Sequence, residues 1–359
     1  MKTSVALIKT SFGFAGGLEK QARRIKRAFE DAGCRVTLIT ADSLHLKRKP
    51  LSFQNIKNFD RACSDHLARS SYNCIFTMDR IRMATHIRAG NGCHAAYLNH
   101  RKRFEPLYKT LTFPLNPLHR LLLDLEKKSF ENPRLKRLIT NSQMVKQEIL
   151  QHYSIPEEKI SVIYNGVEWN ELTPSYKSNE KFHFLFVGSG FKRKGLDLLL
   201  LALAHLSQKD WQLSVVGYDR NLTHYLQLAE KLKIQNQVQF FGKRVDIQTF
   251  YQKADCLVLP TLYDPFANTT VEALAMGLTV VTSKTNGGHE VLTPETGIII
   301  EDLTSQDSLL AALQKALTRP KTEERAKKIR NTVKSYTFEN QLSALTKICL
   351  ENSSFQFVR

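Results

Sequence analysis

Short apolar runs alternate with longer amphipathic stretches along the whole chain. In the first half, runs with the length of buried strands lie at 5–9, 35–39, 74–77, 138–140 and 160–164, and helical periodicity covers 17–32 and 142–152. A strand, a loop containing glycine, a helix and a second strand predict a right-handed βαβ unit at the start of the chain. We therefore expect the first half to form a doubly wound sheet.

The alternation begins again after the polar residues 170–180, which are expected to form a linker. Strands are predicted at 182–187, 212–216, 238–241, 256–259, 279–282 and 297–300. Helices are predicted near 195–206, 223–233, 246–252, 270–276, 306–318, 321–334 and 339–350. The pattern predicts a second doubly wound sheet in an α/β protein with two domains. Ligand-binding side chains are expected on the loops that follow strands.

The composition is that of a soluble globular protein, with 359 residues of which 42% are hydrophobic and 24% charged. No segment reaches the ~18 consecutive apolar residues that a membrane span needs. The apolar stretch near the first residue is too short for a signal peptide, so we expect a cytoplasmic protein. The six cysteines show no C-x-x-C pair and no zinc-like spacing, which indicates free thiols in a reducing compartment.

The net charge of +18 is concentrated in the first half of the chain. Residues 1–173 contain 29 basic and 16 acidic side chains, whereas the rest contains 23 and 18. Such an excess favours an anionic partner, which can be nucleic acid, an acidic membrane surface or a phosphorylated substrate. Nucleic acid is the least favoured of these, because the interleaved aromatic residues of a stacking platform are missing.

The loop 188–195 follows a predicted strand and opens a predicted helix. Glycines such as Gly188 let the backbone approach a ligand, the helix N-terminus offers unpaired N–H groups, and Arg193 and Lys194 supply two positive charges. This combination suits a diphosphate. The alternative is a basic turn that faces water.

The segment 264–274 also follows a predicted strand. Residues 268–270 offer capping side chains at a helix start, and Glu272 is expected in the first turn, eight residues after Asp264. A carboxylate in this position can accept two hydrogen bonds from a ribose diol, and the free helix N–H groups can meet phosphate oxygens. The alternative is that Glu272 only complements the helix dipole.

The segment 264–281 resembles the E-P-F-G-x-x-x-x-E-A-x-A-x-G-x-P-V-V signature of family 4 glycosyltransferases, which are retaining enzymes of GT-B fold. Three further segments, 16–19, 165–167 and 186–195, resemble other motifs of the same family. The last of them is similar to the corresponding loop in the branch that adds glucose to the lipopolysaccharide core. The resemblance implies two Rossmann-like domains facing a central cleft. Residues 1–168 with 338–359 would bind the acceptor, and 169–337 would bind the donor.

The resemblance also implies roles for individual residues. Arg193 and Lys194 would bind the diphosphate and offset charge on the leaving group, and Glu272 would hold the ribose. The full donor-binding set that it implies is Gly16, Gly17, Gly188, Ser189, Arg193, Lys194, Lys243, Arg244, Asp264, Phe266, Ala267, Asn268, Thr269, Thr270 and Glu272. It implies no cofactor and no metal, and no D-x-D motif occurs in the sequence.

Two departures from the family pattern concern the chemistry. Asp264 stands where the signature has a longer glutamate, and Asn91 stands where related enzymes carry an aspartate in R-A-G-D-G-x-H. An amide cannot accept a proton, but a leaving phosphate that takes the acceptor proton makes a protein base unnecessary. His94 is either a further cleft residue or a structural histidine. The expected catalytic set is Asn91, His94, Arg193, Lys194 and Asp264.

We therefore expect a retaining, metal-independent hexosyltransferase that moves glucose from a UDP-sugar to a lipopolysaccharide-core or other lipid-linked or phosphorylated glycan. The alternative is a catalytically impaired nucleotide-sugar-binding protein. Basic and apolar residues alternate in 101–130, which predicts peripheral contact with the anionic inner face of the cell membrane. The alternative for this stretch is a helix of the acceptor domain whose leucines pack in the core. We expect the protein to be a monomer and to bind no nucleic acid.

Overall fold

The chain forms two compact units in the computed structural model, which describes residues 2–11, 17–46, 52–176 and 180–351. The first unit is Met1–Tyr164 with Glu339–Arg359, and the second is Asn165–Phe338. The domain boundaries expected from the sequence lie at 168 and 338. Within the described ranges, none of the helices has both the length and the apolarity required to cross a bilayer.

The first unit is built on a parallel sheet. Among the described residues its strands are β1 (Ser4–Ile8), β2 (Arg35–Ile39), β3 (Cys74–Thr77), β4 (His86–Arg88), β5 (Arg137–Thr140) and β6 (Ile160–Val162), in the order β2-β1-β3-β4-β5-β6. The connecting helices are α1 (Gly17–Asp31), α2 (Phe53–Ala68), α3 (His94–Lys102), α4 (Leu107–Thr110), α5 (Pro117–Phe130) and α6 (Gln143–His152).

The central strand β1 is buried on both faces. Val5 and Leu7 pack in one apolar cluster with Phe29 of α1, whereas Ala6 and Ile8 pack in another with side chains of α2. Successive residues of a strand point to opposite faces, so a strand covered on both sides reads as a continuous apolar run. This explains why β1 was predictable from the sequence.

The second unit repeats the architecture. Its strands are β7 (Phe182–Val187), β8 (Trp211–Val216), β9 (Val238–Gly242), β10 (Cys256–Leu259), β11 (Thr279–Ser283) and β12 (Gly297–Ile300), in the parallel order β12-β11-β10-β7-β8-β9. Its helices are α7 (Phe191–Lys194), α8 (Leu196–Ala204), α9 (Leu222–Lys231), α10 (Ile247–Lys253), α11 (Asn268–Ala275), α12 (Gln306–Leu317) and α13 (Glu323–Thr332). The last helix, α14 (Phe338–Leu350), returns the chain to the first unit.

The doubly wound α/β architecture expected from the sequence is confirmed, but several elements differ from expectation. The sequence pattern missed β4, because His86 and Arg88 interrupt the apolar run although both are buried. The strand expected at 160–164 ends at Val162. The helix expected at 195–206 is α8, and the separate helix α7 precedes it.

Candidate functional site

Two loops of the second unit meet beside the carboxyl ends of β7 and β10, which are neighbours in the sheet. Lys194 Nζ lies 2.6 Å from the Asp264 carboxylate, and Arg193 Nη1 lies 2.9 Å from the same oxygen. Arg193 also donates to the carbonyl oxygen of Tyr263 at 2.9 Å. The structure therefore brings the neighbouring residues Arg193 and Lys194 together with Asp264, which follows Lys194 by 70 positions in the sequence.

The Asp264 carboxylate is buried and negatively charged. Burial by itself raises its pKa, but the charges of Lys194 and Arg193 outweigh this, and the net effect is a lowered pKa. One carboxylate thus faces two basic side chains, and burial lowers the pKa of Lys194 although the charge of Asp264 acts in the opposite direction. Arg193 is the more accessible of the two cations, with 40% of its side chain exposed against 9% for Lys194.

Glu272 lies on α11 and is partly buried. Its Oε2 accepts a hydrogen bond of 2.8 Å from the hydroxyl of Tyr251, a residue of α10. Burial raises the pKa of Glu272 even though Tyr251 and Lys194 act in the opposite direction. Tyr251 was not predicted from the sequence, since an aromatic residue in an amphipathic helix gives no signal beyond core packing.

The start of α11 differs from the expectation for residues 268–270. The helix begins at Asn268, its N-cap is Ala267, and no side chain at that position caps it. Glu272 consequently lies beyond the first turn. Asn268 instead accepts a hydrogen bond of 2.7 Å from Asn165, a residue of the same unit. The prediction of a side-chain cap within 268–270 was wrong, because Ala267 occupies the capping position and carries no oxygen.

Asn286 links the loop that carries Asp264 to the start of α11. Its Oδ1 accepts from the backbone N–H groups of Ala267, the residue before the helix, and of Gly288, both at 3.0 Å. Its Nδ2 donates to the hydroxyls of Thr270 at 3.1 Å and Thr282 at 3.0 Å. With four hydrogen bonds and no exposed surface, this side chain holds the loop that carries Asp264 against the start of α11. No signal in the sequence pointed to this residue.

The other expected donor residues occupy different places. Phe266 and Ala267 are buried, and Ser189 is exposed after Gly188 at the end of β7. Thr269 is partly buried and Thr270 fully buried at the start of α11. Gly16 lies outside the described residues, and Gly17 is the first residue of α1.

Lys243 and Arg244, two members of the donor-binding set that the resemblance implies, lie in an exposed turn after the edge strand β9. Two hydrogen bonds of 2.8 Å join the guanidinium of Arg244 to Asp246. Strand order places β8 and β7 between this turn and β10.

In the first unit, Asn91 is exposed on the loop after β4. It lines a small cavity together with Asp79, Arg80 and Arg88. Asp79 accepts hydrogen bonds from Lys9 Nζ at 2.5 Å and from the backbone of Thr10 at 2.6 Å. The cavity beside Asn91 therefore contains a carboxylate, which the sequence analysis missed because it considered only position 91.

His94 is buried at the start of α3. Its backbone N–H donates to both oxygens of Glu126, at 2.8 and 2.9 Å, and its Nε2 lies 3.1 Å from His119 Nδ1. Burial, with the charge of Arg80 and the neighbouring His119, lowers the pKa of His94 to about 3. The imidazole is therefore neutral at physiological pH and cannot donate a proton as an imidazolium. These contacts favour the structural alternative for His94.

Two family models match the chain. The model described as glycosyltransferase family 4 matches residues 15–170, and the model described as glycosyl transferases group 1 matches residues 168–334. Together they extend over most of both units.

Related proteins match shorter stretches. The chain is 28% identical over 248 residues to lipopolysaccharide glucosyltransferase WaaG of Escherichia coli K12, covering 64% of each chain. It is 27% identical over 237 residues to O-antigen chain mannosyltransferase RfbU of Salmonella typhimurium, covering 66% of this chain and 64% of that protein. An uncharacterised glycosyltransferase of Methanocaldococcus jannaschii is 28% identical over 198 residues, 51% of each. The chain thus spans between half and two thirds of the length of these relatives.

Solved structures share the fold over nearly the whole chain. The structure of WaaG, a glycosyltransferase involved in lipopolysaccharide biosynthesis, matches with a TM-score of 0.79 and 23% identity, covering 96% of this chain and 99% of that chain. Anabaena HepE in complex with UDP-glucose matches with a TM-score of 0.67 and 16% identity, covering 97% and 99%. Both matches establish the arrangement of two parallel sheets with flanking helices.

Proposed function

The chain belongs to the family 4 glycosyltransferases of GT-B fold, and from this premise we propose that it transfers glucose from a UDP-sugar to an anionic glycan. The acceptor is a lipopolysaccharide core or another lipid-linked or phosphorylated glycan. Transfer retains the anomeric configuration and needs neither metal nor cofactor. A relative named as a lipopolysaccharide glucosyltransferase and a similar fold solved with UDP-glucose support these classes of acceptor and donor.

The observation that carries the proposal is the cluster of Arg193, Lys194 and Asp264 beside Glu272. Arg193 and Lys194 converge on one carboxylate and offer charged N–H donors to a diphosphate. Glu272, held by Tyr251, accepts hydrogen bonds from the ribose diol.

The same cluster provides the catalytic contribution of the second unit. As the bond to the anomeric carbon breaks, negative charge develops on the leaving diphosphate, and Arg193 and Lys194 stabilise it. The leaving phosphate takes the proton of the acceptor hydroxyl, so no protein base is required. Asp264 keeps both cations in place before the donor arrives and accepts a hydrogen bond from a hydroxyl of the donor sugar.

Isothermal calorimetry with UDP-glucose in the presence of EDTA tests donor binding without a metal. We expect saturable binding, and a loss of transfer activity of about 100-fold in Arg193→Ala, since one charged donor to the leaving group is removed. The matched control is Lys192→Ala on the exposed side of the same helix. Absence of binding for every UDP-, GDP- and ADP-sugar would exclude the proposal.

A second candidate function is nucleotide-sugar binding without turnover, and Asn91 is the observation that favours it. Donor hydrolysis and transfer to deacylated lipopolysaccharide separate the two functions. Activity of the natural chain supports the enzyme. If Asn91→Asp creates activity where the natural chain shows none over long incubation, the binding protein is the correct assignment.

We further propose that residues 101–130 contact an anionic membrane. Four apolar side chains of this stretch are largely exposed, namely Leu107 at 74%, Tyr108 at 68%, Leu111 at 66% and Leu115 at 76%. Exposed apolar side chains next to lysines and arginines suit the inner leaflet, where anionic lipids attract the charge.

Sedimentation with vesicles tests the membrane contact. We expect binding to vesicles of phosphatidylglycerol and phosphatidylcholine that weakens with salt, and weaker binding by Leu111→Ser and Leu115→Ser. Val245→Ser is the matched control, because Val245 is 99% exposed but lies in the second unit. Equal binding by all variants would argue against this surface, and preferential binding to RNA at physiological salt would favour nucleic acid instead.

A further inference from the structure

Three potential metal ligands converge inside the first unit. Cys74 begins β3, His86 begins β4, and Cys349 belongs to α14. Their ligand atoms all lie within 4.8 Å of one another, and Cys74 Sγ is 3.3 Å from His86 Nδ1. Cys74 and Cys349 have no exposed surface and His86 has 1%.

The spacing of these residues in the sequence indicates free thiols, as expected above. The fold changes this interpretation, since β3 and β4 are paired neighbours and α14 packs on the same sheet. Two thiols and an imidazole at mutual distances of this size form a ligand set typical of thiophilic metal ions.

We propose that Cys74, His86 and Cys349 bind one Zn²⁺ ion that fastens α14 to the sheet of the first unit. Binding releases the protons of both thiols to solvent, and the two thiolates then neutralise the divalent charge, which limits the cost of burying it. The three protein ligands leave the fourth position of a zinc tetrahedron open. Because α14 supplies one ligand, the site is complete only when this helix is docked.

The experiment uses the full chain, purified with a phosphine reductant and reconstituted with ZnCl₂ or CoCl₂. We expect one zinc ion per chain after gel filtration, measured by inductively coupled plasma mass spectrometry. Co²⁺ should give a thiolate charge-transfer band. Zinc should raise the melting temperature, and chelation should reverse this. Cys74→Ala and Cys349→Ala should lose the metal, the band and the thermal shift.

Cys63→Ala is the matched control, because Cys63 is a fully buried cysteine on α2 of the same unit. This substitution removes the same atoms from the core, and the variant should still bind the metal. Far-ultraviolet circular dichroism verifies that each variant is folded. The proposal is overturned if folded wild-type protein binds no more zinc than a variant that carries both Cys74→Ala and Cys349→Ala. A Cys74–Cys349 disulfide in the freshly isolated protein, found by peptide mapping without reductant, would also overturn it.

Discussion

Asp264 is the residue on which the electrostatics of the proposed donor site depend. Asp264→Asn keeps the shape of the side chain and leaves Lys194 and Arg193 without their shared negative partner. Breaking a buried ion pair from one side costs about 3 kcal/mol. We expect the second unit to melt at a lower temperature, and UDP to stabilise the variant more than the wild type, because the diphosphate replaces the missing charge.

Differential scanning fluorimetry with and without UDP measures both effects. Asp246→Asn is the control, because Asp246 makes an exposed ion pair with Arg244 that contributes at most about 1 kcal/mol. A smaller UDP shift in Asp264→Asn than in wild type would mean that Asp264 itself contacts the nucleotide and does not act through the cations.

His94 makes the stability of the first unit depend on pH. Its pKa is about 3 in the folded protein, below the value of ~6.5 in an unfolded chain. Between these values only the unfolded state binds the proton, so stability is lost as the pH falls below ~6.5. The slope from this residue approaches about 1.4 kcal/mol per pH unit.

Urea unfolding followed by circular dichroism between pH 7 and pH 4.5 measures this slope. We expect His94→Gln to reduce it, whereas the same substitution at the exposed His205 should leave it unchanged. An unchanged slope in His94→Gln would show that the imidazole is protonated in the folded state, contrary to its burial beside Arg80.

At the scale of the element, α7 and α8 depend on the glycine between them. Gly195 has a φ of +78°, and a Cβ atom added there would lie 1.9 Å from the carbonyl oxygen of Pro260. Gly190, at the start of α7, has a φ of +74° but no atom within 4 Å of such a Cβ. The two glycines share a backbone conformation and differ in the space around them.

We expect Gly190→Ala to cost about 1–2 kcal/mol of stability, the cost of a left-handed conformation. Gly195→Ala should cost clearly more and reduce UDP affinity, since α7 must move and carries Arg193 and Lys194 with it. Chemical unfolding measures the free energy of unfolding of each variant, and calorimetry with UDP measures its affinity. Equal losses in both variants would show that the contact with Pro260 is relieved without moving α7.

The elements differ in how well the sequence predicts them. Strands such as β1 and β10 were predictable, because burial on both faces produces an uninterrupted apolar run. The strand β4 was not, since two of its three residues are buried polar side chains. The cap of α11 was predicted at the wrong residues, because the helix begins one residue after Ala267, whose side chain has no hydrogen-bond acceptor.

For the whole molecule, the two-sheet architecture and the donor cluster followed from local signals at strand ends, which parallel sheets bring together. The ligand set of Cys74, His86 and Cys349 had no such signal. One member arrives with α14, a helix whose return to the first unit depends on the path of the entire chain. Contacts of this kind require the fold, and spacing alone cannot provide them.

The second unit should fold on its own. Its two ends are adjacent, since Val167 and Thr337 form a parallel bridge and the Val167 N–H donates to Tyr336 at 2.9 Å. A fragment of residues 165–338 therefore keeps a complete sheet and the cluster around Asp264. We expect cooperative unfolding and UDP binding within about tenfold of the full chain in EDTA, but no sugar transfer.

The first unit provides the opposite case, because it is not contiguous in sequence. A fragment of residues 1–164 lacks α14, so Leu345 and Cys349 no longer cover the cluster that contains Val5 and Leu7. Exposing that much apolar surface costs several kcal/mol, comparable to the stability of a whole domain. We expect this fragment to aggregate or bind hydrophobic dyes, and to regain cooperative unfolding when residues 339–359 are attached through a flexible linker. Cooperative unfolding of 1–164 alone would show that α14 adds nothing essential to this core.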